Sequence, residues 1–246
     1  MLRPKKILKE LTPPALFRLM VKLYLSCSRP RINSSNRFQG KVFCIGFNKT
    51  GTTSIGQALI EFGYSLGSQS VAEMLLIDWH RQDFDRLIRF CQTADAFQDI
   101  PFSLPGTYRH IDEAFPDAKF ILTVRDTEQQ WFQSLVRFHT KWFSSDKSRL
   151  PDENDLKNAL YLYKGSVLDA MRMVFNYPTV ALYDEAYYTQ LYQQHNQEVT
   201  EYFKDKTGKL LKLNLSHPIA YQELAAFLNI TVSDKSRFPW KNKTQT

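Results

Sequence analysis

The sequence predicts an α/β fold: three layers, in which a parallel sheet of about four or five strands carries helices on both faces. Three observations predict it. Short apolar runs at 42–45, 94–97, 120–124, 179–182 and 210–215 alternate with stretches of helical spacing. The first run leads into a glycine-bearing loop and then a helix. Apolar residues make up 43% of the 246 residues and aromatics 14%, enough for a large core.

In chain order, residues 1–32 form a basic amphipathic segment and 33–246 the main domain. Lys5, Lys6 and Lys9 precede Pro13 and Pro14, and an apolar face follows from 15 to 25, interrupted by Arg18 and Lys22. Those charges exclude a signal-peptide core. The segment reads either as an interfacial helix touching anionic lipid through residues 1–25 or as a helix packed on the domain. Residues 33–40 are a polar turn. The run at 42–45 is a buried strand, 46–53 a loop, and 54–62 a helix ended by Gly63. Further helices are expected at 70–92, 127–143, 153–175, 184–205 and 217–228, and the polar stretch 139–155 as a mobile loop. No repeat, linker or apolar stretch of membrane-spanning length interrupts this order.

The formal net charge is +7, from 32 basic and 25 acidic residues. It suits an anionic ligand or a membrane surface. Outside the N-terminus the basic residues are dispersed, so no nucleic-acid groove is expected. Cys27, Cys44 and Cys91 form neither a disulfide framework nor a zinc site and read as thiols in a reducing compartment. The expected location is cytoplasmic, or peripheral at the inner membrane face.

The segment 46–53, Gly-Phe-Asn-Lys-Thr-Gly-Thr-Thr, holds the most chemistry. Backbone N–H groups between a strand and a helix N-terminus attract anions. Gly46 and Gly51 keep the spacing of a nucleotide-triphosphatase loop, but Thr52 stands where its lysine would be, and Lys49 lies earlier. A lysine there serves a shorter group than a triphosphate. The run at 120–124 ends in Arg125, not in a carboxylate placed for Mg²⁺.

GFNKTGTTS resembles the 5′-phosphosulfate loop of sulfotransferases that use 3′-phosphoadenosine 5′-phosphosulfate (PAPS), which have a P-loop-type fold. KFILTVRD and the helix after it resemble the family's second motif, a strand ending in Arg with a Ser on the next helix. Ser134 lies nine residues after Arg125, where the family pattern has eight. The 182–203 stretch and Phe238-Pro239-Trp240-Lys241-Asn242 resemble a late helix and an FPxxN ending in a prokaryotic and plant branch. The likeness runs from about Lys41 to Asn242.

The resemblance implies a PAPS-dependent sulfotransferase acting on an acceptor hydroxyl or amine, with no metal required. It implies that Asn48, Lys49, Thr50, Gly51, Thr52, Thr53 and Ser54 bind the 5′-phosphosulfate, and that Arg125 and Ser134 bind the 3′-phosphate. Lys49 and Asp99 are the catalytic candidates, Asp99 as the base at a strand end before Pro101. Asp99 is alternatively a turn cap, and Asp126 an orienter of Arg125. Trp131 reads as core packing, and His195 and Asn196 as solvated or packing residues, with a role towards the substrate as the alternative. Charge and the N-terminal segment favour a saccharide or lipid-linked saccharide as acceptor, with a small phenol or alcohol as the alternative. A P-loop kinase and a non-catalytic binding protein are the rival readings.

Overall fold

The computed structural model describes residues 38–233 and 237–238. The basic segment 1–32 and residues 239–242 of the FPxxN ending lie outside the described residues.

Among the described residues, four strands form one parallel sheet of order β2-β1-β3-β4. They are β1 (Val42–Cys44), β2 (Ala96–Gln98), β3 (Lys119–Thr123) and β4 (Leu210–Leu213). β1 lies centrally, with Cys44 beside Gln98 on one side and Ile121 on the other. Helices join and flank the strands, so the expected α/β parallel sheet is the fold observed. No helix among the described residues is long and apolar enough to cross a membrane.

The helices are α1 (Thr52–Glu61), α2 (Gln69–Met74), α3 (Leu76–His80), α4 (Asp85–Phe90), α5 (Thr107–Ala114), α6 (Glu128–Phe143), α7 (Glu153–Asn158), α8 (Ser166–Phe175), α9 (Glu185–Phe203) and α10 (Ala220–Phe227). Two long helices expected from sequence are divided. The 70–92 stretch is three short helices, because the chain turns at Leu75 and again at Gln82, whose φ is 58°. The buried Asp78 carboxylate is ion-paired with Arg86 across that second turn. The 153–175 stretch breaks where Leu160 and Lys164 pair antiparallel across a tight turn. Apolar spacing persists through both breaks because each piece still buries an apolar face, so periodicity alone could not reveal them.

The expected strand at 179–182 is not a strand. Val180 N–H bonds to Asn176 C=O and Asp184 N–H to Ala181 C=O, so the chain turns there. Its apolar residues Val180 and Leu182 pack against the α6–α8–α9 cluster instead of entering the sheet. Helix α5 was not expected, although its buried face of Tyr108 and Ile111 has helical spacing. The polar loop after α6 is held rather than loose: Asp152 caps α7, and Asp155 completes the capping box, pairs with Arg149 at 2.6 Å and accepts from Ser145 N–H at 3.1 Å.

Phe43 on β1 anchors one face of the sheet. It is fully buried, with its ring centroid 5.4 Å from Phe97, 5.7 Å from Phe120 and 5.7 Å from Phe102. On the other face α1 and α10 cover Val42, Cys44 and Ile121. Phe238 is buried there, edge-on to Tyr221 at 5.2 Å. Cys44 and Cys91 are buried free thiols.

Phe43→Ala should destabilise the fold by about 3–5 kcal/mol, because a large cavity would open between Phe97, Phe102, Phe115 and Phe120. Urea denaturation at constant m-value would read this as a lower midpoint.

Candidate functional site

All neighbouring strands run parallel, so the segments that leave β1, β2 and β3 emerge at one edge of the sheet. Open α/β sheets bind ligands at that edge. Here it brings together the β1–α1 loop, Asp99 just after β2 and Arg125 just after β3. A cavity of about 840 Å³ opens over them. Residues 48–54, Asp99, Arg125 and Ser134 all line it.

The loop is pinned from below. A Cβ on Gly46 would sit 2.3 Å from the carbonyl oxygen of Thr123, so only glycine lets the chain cross the end of β3. Thr50 is buried; its hydroxyl bonds to the Thr123 hydroxyl at 2.5 Å and donates to Phe47 C=O at 2.5 Å. The Thr50 side chain thus fastens the loop to the sheet, and its N–H is engaged by Phe47 C=O at 3.3 Å. Trp131 Nε1 donates to Asn48 C=O at 2.8 Å while its ring stacks on Tyr192 at 4.7 Å. The core role expected for Trp131 is what the structure shows, with a hydrogen bond to the loop in addition.

Gly51 has φ 105° and is the N-cap of α1. No side chain caps that helix. Among the described residues, the N–H groups of Gly51, Thr52 and Thr53 donate to no protein acceptor, whereas those of Ser54 and Ile55 return to Gly51 C=O. The Asn48 side-chain oxygen is buried without a hydrogen-bond partner. Free donors at a helix N-terminus, beside two cations, fit an anion such as a phosphosulfate. Thr53 is exposed and Ser54 half-buried at the cavity.

Lys49 has φ 69°. Its ammonium lies 3.6 Å from the centroid of the Phe138 ring, a cation–π contact. Burial lowers its pKa below the usual 10.5, and the Asp99 charge opposes that shift. Arg125 aims its guanidinium at the loop: Nε and Nη2 donate to Lys49 C=O at 2.9 and 2.7 Å. Its own N–H donates to the Tyr192 hydroxyl at 2.9 Å. Asp126 does not hold the guanidinium by any hydrogen bond; its carboxylate accepts from Asn214 at 2.6 Å.

Asp99 has φ 61°. One carboxylate oxygen accepts from Ile100 N–H at 2.9 Å, the other from the Thr52 hydroxyl at 3.1 Å. Turn capping and cavity lining are therefore both true of Asp99. Burial raises its pKa above the ordinary 3.8, while those two hydrogen bonds and the Lys49 charge act the other way. Lys49 and Asp99 both adopt the left-handed region, which costs non-glycine residues roughly 1–2 kcal/mol each.

Sequence reasoning missed Phe138, Arg137, Trp142 and Tyr192. Three of these carried a signal: Ser134, Arg137, Phe138, Lys141 and Trp142 recur at helical spacing, one stripe of α6, and all line the cavity. His195 is buried rather than solvated. Its Nε2–H bonds to Ile45 C=O at 2.9 Å, just beyond β1, so the packing reading holds. Asn196 sits beside it, half-buried.

This loop at the sheet edge, with a carboxylate facing it, has the layout of a group-transfer site. The chain matches the sulfotransferase domain family over residues 41–246 and belongs to it. It is thus a transferase of sulfuryl groups. No curated protein matches the sequence.

The two buried histidines give a pH prediction. Burial depresses His195 to about 4, and burial with the Lys49 charge depresses His139 to about 3. Both stay neutral when folded, whereas the unfolded chain takes up protons near 6.5. Depressed folded values mean stability is full above 6.5 and is lost as pH falls towards 4. Calorimetric melting at pH 7, 6 and 5 should show a falling Tm, with a shallower fall in His139→Gln.

Proposed function

We propose that the protein transfers the sulfuryl group of PAPS to an acceptor hydroxyl held beside Asp99. The observation that carries this reading is the convergence of the β1–α1 loop, Asp99 and Arg125 on one cavity at the sheet's carboxyl edge. When bound, PAPS supplies the group: the acceptor oxygen–sulfur bond forms, and the sulfur–oxygen bond to the phosphate breaks with its electrons left on that oxygen.

The chain's own residues do the rest. The N–H groups of Gly51, Thr52 and Thr53 hold the 5′-phosphosulfate, aided by the N-terminal end of α1. The Lys49 ammonium neutralises charge growing on the bridging oxygen. Arg125 keeps Nε and Nη2 on Lys49 C=O and offers Nη1 to the 3′-phosphate, which together with Ser134 fixes the donor's orientation. Asp99 takes the acceptor proton; its raised pKa improves it as a base near neutral pH. Phe138 limits where the Lys49 side chain points.

Calorimetry with 3′-phosphoadenosine 5′-phosphate tests the donor. Micromolar binding without Mg²⁺, far weaker binding of ATP, and a loss of tenfold or more in Lys49→Ala and Arg125→Ala are expected. Preferential binding of ATP with Mg²⁺ would sink the reading in favour of a kinase.

The pH profile of kcat tests the base. Asp99 must be ionised, so activity should rise with pH through a limb above the ordinary carboxylate value. It should fall again as Lys49 loses its proton below the ordinary lysine value. Asp99→Asn should lose about 10²–10⁴-fold in kcat. Thr52→Val, lacking a bond that favours the charged carboxylate, should move the acid limb to higher pH.

A further inference from the structure

The cavity wall holds a histidine that is built into the core. His139, on α6, is only 7% exposed, yet its ring lines the cavity. Phe143 and Tyr183 flank it edge-on, with ring centroids 5.1 and 5.6 Å away. Its Nδ1 lies 3.0 Å from the Tyr183 hydroxyl. Tyr183 is also buried, and its φ is 61°. The Tyr183 N–H donates to the Tyr188 hydroxyl at 3.2 Å, and the Tyr188 ring stacks on Phe175 at 4.1 Å. A non-glycine residue persists in the left-handed region where its neighbours over-determine it, and such strain gathers at functional sites.

These contacts set the chemistry of the ring. Burial pushes the Tyr183 phenol pKa up, so its hydroxyl keeps the proton. A buried O–H needs an acceptor, and Nδ1 is the one it meets among the described residues. Nδ1 therefore accepts, and the single proton of the neutral imidazole sits on Nε2. Burial and the Lys49 charge keep the ring neutral. Such a ring is no general base, because Nε2 already holds a proton, and it is not an imidazolium acid. It is a fixed, neutral N–H donor. Nε2 bonds to no described residue. The two ring nitrogens project to opposite sides, so with Nδ1 turned to Tyr183 the Nε2–H turns to the cavity that the ring lines. A buried donor without a protein acceptor calls for an acceptor on a ligand.

We infer that His139 Nε2–H donates to an oxygen of the sulfuryl group under transfer, held in place by the Tyr183 hydroxyl on Nδ1. The inference rests on the sulfuryl-transfer reading above and adds a residue to it. Position favours the sulfuryl group. The Lys49 ammonium lies on the ring of Phe138, the residue before His139 on α6, and its charge reaches the His139 ring. In that reading Lys49 serves the bridging oxygen, next to the sulfur, and no side-chain donor yet serves the sulfuryl oxygens. A donor locked before the reaction stabilises charge on those oxygens without reorganising. Its neutrality matters too. A second cation near Asp99 would favour the ionised carboxylate and weaken it as a base, whereas a neutral N–H leaves that basicity in place.

The test is calorimetric titration of the full chain with PAPS and with 3′-phosphoadenosine 5′-phosphate, which lacks the sulfuryl group. His139→Leu, combined with Tyr183→Phe so that no phenol is orphaned, should raise the PAPS Kd about fivefold or more and leave the Kd of the desulfated nucleotide within about twofold. His139→Gln, whose amide N–H reaches the place of Nε2, should recover most of the PAPS affinity. In the wild type, ¹⁵N NMR should show His139 as the Nε2–H tautomer, with that proton shifted downfield by PAPS and not by the desulfated nucleotide. Equal losses for both nucleotides, no loss for either, an Nδ1–H tautomer, or a proton that PAPS does not move overturns the inference. The NMR measurement decides it if the double variant fails to fold. These outcomes leave the donor reading standing, whereas a wild type that binds neither nucleotide overturns that reading itself.

Discussion

The crossing of the β1–α1 loop over the end of β3 is the contact on which the site depends. Gly46 lies too close to Thr123 for any side chain, and the Thr50 and Thr123 hydroxyls bond across the same gap. Two residues past Thr123, the Arg125 fork grips Lys49 C=O. A loop fixed at both its buried face and its tip keeps its free N–H groups aimed at the cavity. Pre-aimed donors need little reorganisation when negative charge arrives or develops, and electrostatic catalysis depends on that economy of motion.

A buried aromatic layer supports this crossing from the helix side. Trp131 and Tyr192 stack, and each gives one hydrogen bond to the site: Trp131 to Asn48 C=O, Tyr192 from Arg125 N–H. Phe47 packs against both rings and edge-on to His195 at 4.8 Å. The polar edges of these side chains would be costly to bury unpaired, and the loop's backbone groups are the partners. Core packing and site geometry are therefore one set of interactions. Dispersed apolar substitutions in α6 and α9 act on the loop as well as on stability.

Lys49 and Asp99 pair strain with burial. Each sits at positive φ and each has its charged state disfavoured by desolvation, with the other's charge partly restoring it. Surrounding structure holds them there: the Arg125 grip for Lys49, the Ile100 and Thr52 bonds for Asp99. Strained residues of this kind persist only where neighbours over-determine them, and they gather at functional sites.

Much of this was legible in the sequence. Alternation of apolar runs and helical stretches gave the parallel α/β class, because a short continuous apolar run and a 3.6-residue period are both local properties of the chain. The glycine spacing, Lys49, Arg125 and Asp99 were legible because each belongs to the end of a strand, and parallel strands deliver their ends to one edge. The turn at 179–182 was not, since an apolar run of four residues packs equally well on a helix cluster or in a sheet, and only the hydrogen bonds decide. Nor were the breaks at Leu75, Gln82 and 159–165, where long-range packing keeps the helical apolar pattern running through turns. Tyr161 meets Glu73 only through tertiary folding, across 88 residues of chain. The sequence by itself determined the sheet and the residues at its carboxyl edge; the tertiary structure alone decided what faces them, because facing side chains are chosen by packing between distant segments and leave no local period to read.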